Sequence, residues 1–344
     1  MPGEPSTRML DPALPTNRLE LFPTHPVLTR GFHIATPPLC RAYDEAAATI
    51  ASGAPSCAFV AYPRFGKTYA GEYIAARLPE SFPGTPIIRY CAYHHVHPSE
   101  TLFFSDLIEQ TCVERLPTRA ASNCNVLARA WWTRAQEHHS HKVIFVGDEM
   151  QCITPNGYSW LMDVTNALHT LNVRTVAILF AQPELVDLRS ALLHLHRGDI
   201  LGRFLSRIRH FDGIHSAYEL RQVMAAYDDP TEFEHPSGSG WCFTRFFVPV
   251  AFGCGWRLST LAGQLWEQFK QLSVQRLKST DLVQKLSVGM EWIAGALQQL
   301  LLTLSERDQE TLAINSAMLS SAVHNSGFID SLGLTYNPEW ATPE

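Results

Sequence analysis

Two short stretches of this chain carry residue types that act on phosphates. The first is Ala61-Tyr62-Pro63-Arg64-Phe65-Gly66-Lys67-Thr68, which keeps the spacing of a GxxxxGK[ST] loop in all but its first position. It follows an apolar run and opens a helical pattern, so backbone N–H groups can face an anion at a helix N-terminus, where the helix dipole favours negative charge. In such a loop Lys67 reaches the β- and γ-phosphates of ATP, and Thr68 offers its hydroxyl to Mg²⁺. Residues Ala61 to Phe65, with Gly66 and Tyr69, complete the expected lining. Ala61 stands where glycine is usual, which is tolerable if the local φ is negative, since only positive φ strongly demands glycine. The second stretch, Val143-Ile144-Phe145-Val146-Gly147-Asp148-Glu149, is an apolar strand that ends in two carboxylates. Asp148 is suited to the Mg²⁺ hydration shell, and Glu149 to orienting and deprotonating an attacking water as a general base.

Four further positions are candidates. Gln182, at the end of the strand Arg174–Ala181, is placed to lie beside the catalytic water. Arg203, and after it Arg207, lie in the run Leu201–Arg209; charge on a transferring γ-phosphate is often met by an arginine from a neighbouring subunit. Arg257, in Gly255-Trp256-Arg257-Leu258, is placed to fold over the phosphates and report nucleotide state.

Positioning these groups takes an alternation of strands and helices. Candidate strands are Cys57–Ala61, Pro86–Tyr93, Val143–Gly147, Arg174–Ala181 and Arg209–Ile214. Candidate helices are Leu39–Ser52, Lys67–Leu78, Ser99–Val113, Val126–His138, Tyr158–Leu171 and Pro183–Leu195. Apolar strands separated by helices predict a parallel five-stranded sheet covered on both faces. The predicted organisation is an extended, Pro-rich arm (residues 1–38), an α/β domain (39–227), a linker, a helical domain (241–325) and an irregular tail (326–344). Leu282, Leu286, Met290, Ile293 and Leu297 recur at helical spacing, a pattern that fits packing on the helical domain or docking of a partner.

Hydrophobic residues make up 46% of the 344, enough for a large core. The net charge of −6 argues against binding nucleic acid by bulk positive charge. The eight cysteines form no CxxC pair and read as buried free thiols of a reducing cytoplasm. No signal peptide or membrane span is expected. The histidine clusters, His94, His95, His97 and His138, His139, His141, lack the spacing of a metal site.

The loop ending Arg64-Phe65-Gly66-Lys67-Thr68 and the strand Phe145-Val146-Gly147-Asp148-Glu149 together resemble the AAA+ ATPases. With Gln182-Pro183-Glu184-Leu185, Phe243-Thr244-Arg245-Phe246-Phe247-Val248-Pro249 and Gly255-Trp256-Arg257-Leu258, the chain is similar to the TniB/TnsC-type transposition regulators over about residues 35 to 270. The resemblance implies an α/β core with a helical lid, and Mg·ATP hydrolysis. It also implies a homo-oligomeric ring or filament of about six or seven subunits per turn on double-stranded DNA, linking a target-selection protein to a transposase. Contacts repeated around such a ring release counterions without regard to sequence, so a modest negative charge is compatible with it. The segment Tyr93–Glu100 and the helix bearing Arg129 and Arg134 are its pore-facing candidates. A nucleotide-dependent scaffold with little hydrolysis, a helicase loader and a defence-system ATPase are the alternatives.

Overall fold

The computed structural model describes residues 10–111, 120–278, 283 and 285–335. It divides into two compact units, Pro38–Phe211 and, from the two ends of the chain, Met1–Pro37 with Asp212–Glu344.

The first unit is built on five parallel strands: β1 (Ser56–Val60), β2 (Ile87–Cys91), β3 (Lys142–Asp148), β4 (Arg174–Ala181) and β5 (Ile208–His210). Their order is β2-β3-β4-β1-β5. The three central strands are buried along nearly their whole length, which is why each reads as a continuous apolar run. Strand β2, at one edge, buries Ile88 and Tyr90 and exposes Arg89 between them. Val60 pairs with Ala181 and Gly147 with Leu179, so the ends of β1, β3 and β4 fall together at one edge of the sheet.

Two short helices, α1 (Pro15–Leu21) and α2 (Pro26–Thr29), come first in the chain. The helices of the sheet unit are α3 (Pro37–Ser52), α4 (Lys67–Ser81), α5 (Glu100–Thr111), α6 (Ala120–Glu137), α7 (Pro155–Thr170), α8 (Glu184–His194) and α9 (Gly198–Phe204). Each presents an apolar stripe at helical spacing, as in α4, where Ala70, Ile74, Ala75 and Leu78 are buried. Helix α4 packs on β3 and β4, α6 on β3, α7 on β4 and α9 on β1.

The second unit is helical, with α10 (Ala217–Asp228), α11 (Phe243–Phe247), α12 (Pro249–Gly253), α13 (Ala262–Leu277), α14 (Met290–Ser305), α15 (Ser316–Asn325) and α16 (Phe328–Thr335). Among the described residues no helix is long and apolar enough to cross a membrane.

Several sequence expectations are corrected. The arm is not extended over residues 15–29: it forms α1 and α2. His25 and Val27 are buried, and the ring of Phe22 lies 5.4 Å from that of Phe247. The division falls at Phe211 rather than 227, because Leu220, Val223, Met224 and Tyr227 of α10 turn inward and the helix packs on α13. Strand β5 stops at His210, and Ile214 instead bridges antiparallel to Val288, a pairing across 74 residues that local pattern cannot show. Gly213 permits this approach, since a Cβ there would sit 2.2 Å from the carbonyl oxygen of Val288. The tail is not irregular throughout: α16 buries Phe328 and Leu332. Residues 336–344 lie outside the described residues, as do Leu282 and Cys112. The apolar repeat from Leu282 to Leu297 becomes helical only at Met290, and α14 buries Ile293 and Leu297 in its packing with α15 and α11. Of the seven described cysteines, all free, only Cys57 and Cys242 are buried. Cys40 is exposed because helical spacing turns it away from the face of Leu39, Ala42 and Ala46.

Candidate functional site

The loop Ala61–Gly66 leaves β1 and ends where α4 begins at Lys67. Gly66 is the N-cap of α4 with φ of 95°, a conformation open to glycine and costly for any residue with a Cβ. Arg64 takes φ of 67°, so the loop holds one strained non-glycine residue, as phosphate cradles often do. Ala61 is not among the residues of positive φ, and its N–H donates to Ala181 O at 3.1 Å. It ends the strand in ordinary geometry, which explains how alanine replaces glycine there. Phe65 is buried and lies beside Tyr62, with ring centroids 6.1 Å apart, while Pro63 and Arg64 are exposed. Tyr69 is half-buried against Tyr73, and burial, ahead of Tyr73 and Glu72, pushes its hydroxyl up to about 12.

Lys67 is buried, and its Nζ donates to the carbonyl oxygens of Ala61 at 2.9 Å and Tyr62 at 3.1 Å. Two of its three N–H bonds are thereby fixed, and the third can donate to an anion at the start of α4. Burial pulls the Lys67 pKa down, and the carboxylates of Glu149, Asp148 and Glu184 oppose that shift. Asp148 is held above the usual carboxylate range by burial, opposed by hydrogen bonds from the Thr68 hydroxyl and the Glu149 N–H, the latter at 2.8 Å. A hydroxyl and a carboxylate in contact form a hard-oxygen pair of the kind Mg²⁺ takes together with substrate phosphates. The residues present therefore fit the ion.

Glu149 sits just past β3 with φ of 52° and N-caps the 3₁₀ turn Met150–Cys152. Its Oε2 accepts from Gln182 Nε2 at 3.0 Å and from Gln151 Nε2. Gln151 Oε1 in turn accepts from the Gln182 N–H at 2.9 Å. Strand β4 lies between β1 and β3, so its tip delivers Gln182 to the acid pair. Gln151 was not among the sequence candidates; a second amide two residues past the acidic pair was the available signal, but only the 3₁₀ turn brings it back to Glu149. Tyr158 was also missed. Wholly buried, it donates to Met150 O at 3.0 Å and pins that turn.

Two expected residues of the sheet unit, Arg203 and Arg207, stand apart from this cluster. Arg203 is half-buried, and its Nη1 donates to Thr165 Oγ1 at 2.6 Å and Asn166 Oδ1 at 2.7 Å on α7 of its own chain. Arg207 is exposed, and its guanidinium makes no hydrogen bond or ion pair among the described residues. Arg209 pairs with Glu45 at 3.0 Å. In the helical unit, Arg257 lies 3.7 Å over the ring of Phe252, and its Nη1 donates to the carbonyls of Phe252 and Trp256 at 3.0 and 2.8 Å. In the loop Tyr93–Glu100, Val96 is 80% exposed while His95 is tied to Asp106 at 2.6 Å; Arg129 is exposed on α6.

Comparison with solved structures bears on the fold. The Aeropyrum pernix ORC2 protein, in its ADPNP-ADP complexes, superposes with a TM-score of 0.50 at 12% identity, over 85% of this chain and 68% of that one. The two chains share a fold, a five-stranded parallel sheet flanked by helices in the case of this chain. The Aeropyrum pernix ORC1 protein in complex with DNA aligns at a TM-score of 0.40 and 14% identity, over 92% of this chain and 68% of that one. No protein-family profile and no curated protein sequence matches the chain.

Proposed function

We propose that this chain is an ATPase whose Mg·ATP-dependent assembly on double-stranded DNA regulates transposition, linking a target-selection protein to a transposase, with hydrolysis as the reset. The observation that carries the hydrolytic part is the Glu149 carboxylate, gripped on one oxygen by Gln182 and Gln151 beside Lys67 and the Thr68–Asp148 pair. Both amide bonds fall on Oε2, leaving Oε1 to accept the proton of a water aimed at the γ-phosphate. Lys67 offers its remaining N–H to the phosphates. Thr68 and Asp148 would hold Mg²⁺, which when bound would supply neutralisation of the developing charge. Arg207 is the guanidinium we assign to reaching a neighbouring subunit's nucleotide, ahead of Arg203, which is engaged on α7. Support for transposition as the client comes from Gln182-Pro183-Glu184-Leu185 and from the stretches around Phe243–Pro249 and Gly255–Leu258.

The test is electron microscopy of the protein with double-stranded DNA, with and without a non-hydrolysable ATP analogue, beside single-turnover hydrolysis. Rings or filaments that need nucleotide, are lost in Lys67→Ala and persist in Glu149→Gln without hydrolysis are expected. Assembly by Lys67→Ala would remove the P-loop as the switch. Hydrolysis unchanged in Glu149→Gln would favour the scaffold reading, and no assembly on DNA would favour a helicase loader or defence ATPase.

A further inference from the structure

The end of the sheet opposite the P-loop holds an uncompensated cluster of positive charge. Lys142 opens β3 and Arg174 opens β4, and the two are direct partners in the parallel register. Neighbouring strands lie about 4.8 Å apart, and like charges side by side on them repel. Lys142 Nζ spends one N–H on Ile50 O at 3.0 Å. Arg174 is exposed, and its guanidinium has no hydrogen bond or ion pair among the described residues.

These two cations line two adjoining hollows. One, of about 510 Å³, adds His138, His139 and His141 from the turn before β3. The other, of about 550 Å³, adds His169, Arg203 and Thr175. Neither hollow is lined by a single Asp or Glu, in a chain with 33 of them and a net charge of −6. In the second hollow the Oγ1 of Thr175 is buried and has no hydrogen-bond partner among the described residues. Repelling cations with unspent N–H groups, an unpaired hydroxyl and no carboxylate make up the chemistry of an oxyanion site. Two open hollows on either side of the shared pair suit a run of phosphates rather than one enclosed group.

We propose that this base of the sheet is a second phosphate-binding surface, separate from the P-loop, that takes the phosphates of a nucleic-acid backbone or of a free polyphosphate. The nucleic-acid source rests on the DNA-binding reading above; the polyphosphate source does not.

Arg174→Glu tests it, because Arg174 is exposed and holds no contact that folding needs. Binding of a labelled DNA duplex is measured without nucleotide across a salt series, and binding of tripolyphosphate is measured in a Lys67→Ala background that keeps the P-loop out. ATP-analogue binding to Arg174→Glu, expected unchanged, shows that the first site is intact and separates this test from that of the ATPase reading. If the surface takes a backbone, duplex affinity falls about tenfold and the slope of log affinity against log salt drops by about 1. If it takes free polyphosphate, tripolyphosphate affinity falls about tenfold while duplex binding is unmoved. Duplex and tripolyphosphate binding both unchanged by Arg174→Glu, or absent from the parent proteins, overturns the proposal.

Discussion

Acidification should loosen the helical unit through one residue, His25. Its ring is wholly buried, with ring centroids of Phe246, His235, Phe247 and Phe243 at 4.4, 4.6, 4.8 and 4.9 Å. Its Nδ1 accepts from the Val27 N–H at 3.1 Å, capping α2, and its Nε2 has no hydrogen-bond partner among the described residues. Burial, and secondarily the neighbouring His235, bring its pKa down to about 3 from 6.5. Because the folded pKa is the lower one, the folded state binds the proton less readily than the unfolded chain. The stability that neutral His25 permits is complete above pH 6.5 and drains away as pH falls from 6.5 toward 3. At about 1.4 kcal/mol per pH unit within that window, lowering pH from 7 to 5 should cost about 2 kcal/mol through this residue. Burial also lowers the pKa of His235, which adds a slope of the same sign. His25→Asn keeps a capping acceptor and removes the titration. In urea unfolding, where m is about 1–3 kcal/mol per M, the parent midpoint should fall by about 1 M more than that of His25→Asn between pH 7 and pH 5. Equal losses in the two proteins would refute the assignment of the acid sensitivity to this ring.

Other outcomes follow from the site. Gln182→Ala removes one of two amides holding Glu149 and should lower single-turnover hydrolysis by roughly 10- to 100-fold with ATP affinity unchanged, since small misplacements of a catalytic group cost that much; a matching loss of ATP affinity would show a binding role instead. Gly147→Ala puts a Cβ 2.5 Å from Met150 Sδ and 3.0 Å from Phe145, and should destabilise the sheet unit by about 1–3 kcal/mol in thermal or urea unfolding. Arg207→Ala should leave stability unchanged and remove hydrolysis in the assembled state. Arg203→Ala should instead lower stability by about 1–2 kcal/mol by stripping its bonds to α7; the reverse pattern in paired unfolding and ATPase assays would return the trans-acting role to Arg203.

Strands β1, β3 and β4 were legible because a strand buried on both faces must be apolar throughout, and such a run followed by a loop into Gly66-Lys67-Thr68, or running into Asp148-Glu149, is rare by chance. Edge strand β5 was misjudged because it is three residues long and the apolar signal beyond it belongs to the Ile214–Val288 bridge. The arm misled for a related reason. Prolines mark the first turns of short helices as readily as extended chain, and only burial of His25 and Val27 among aromatic rings distinguishes the two.

By itself the sequence determined the identity of the chemical groups and their order along the chain. A phosphate loop needs its lysine and threonine next to a glycine at a helix start, and that is a local requirement. The tertiary structure decided which groups meet. The insertion of β4 between β1 and β3 carries Gln182 to Glu149 across 33 residues, and the 3₁₀ turn pinned by Tyr158 returns Gln151 to the same oxygen. It also set Lys142 beside Arg174, and it engaged Arg203 on α7 while Arg207 makes no hydrogen bond or ion pair among the described residues. These contacts depend on strand order and register, which are settled by burial of the whole sheet and leave no local mark in the sequence.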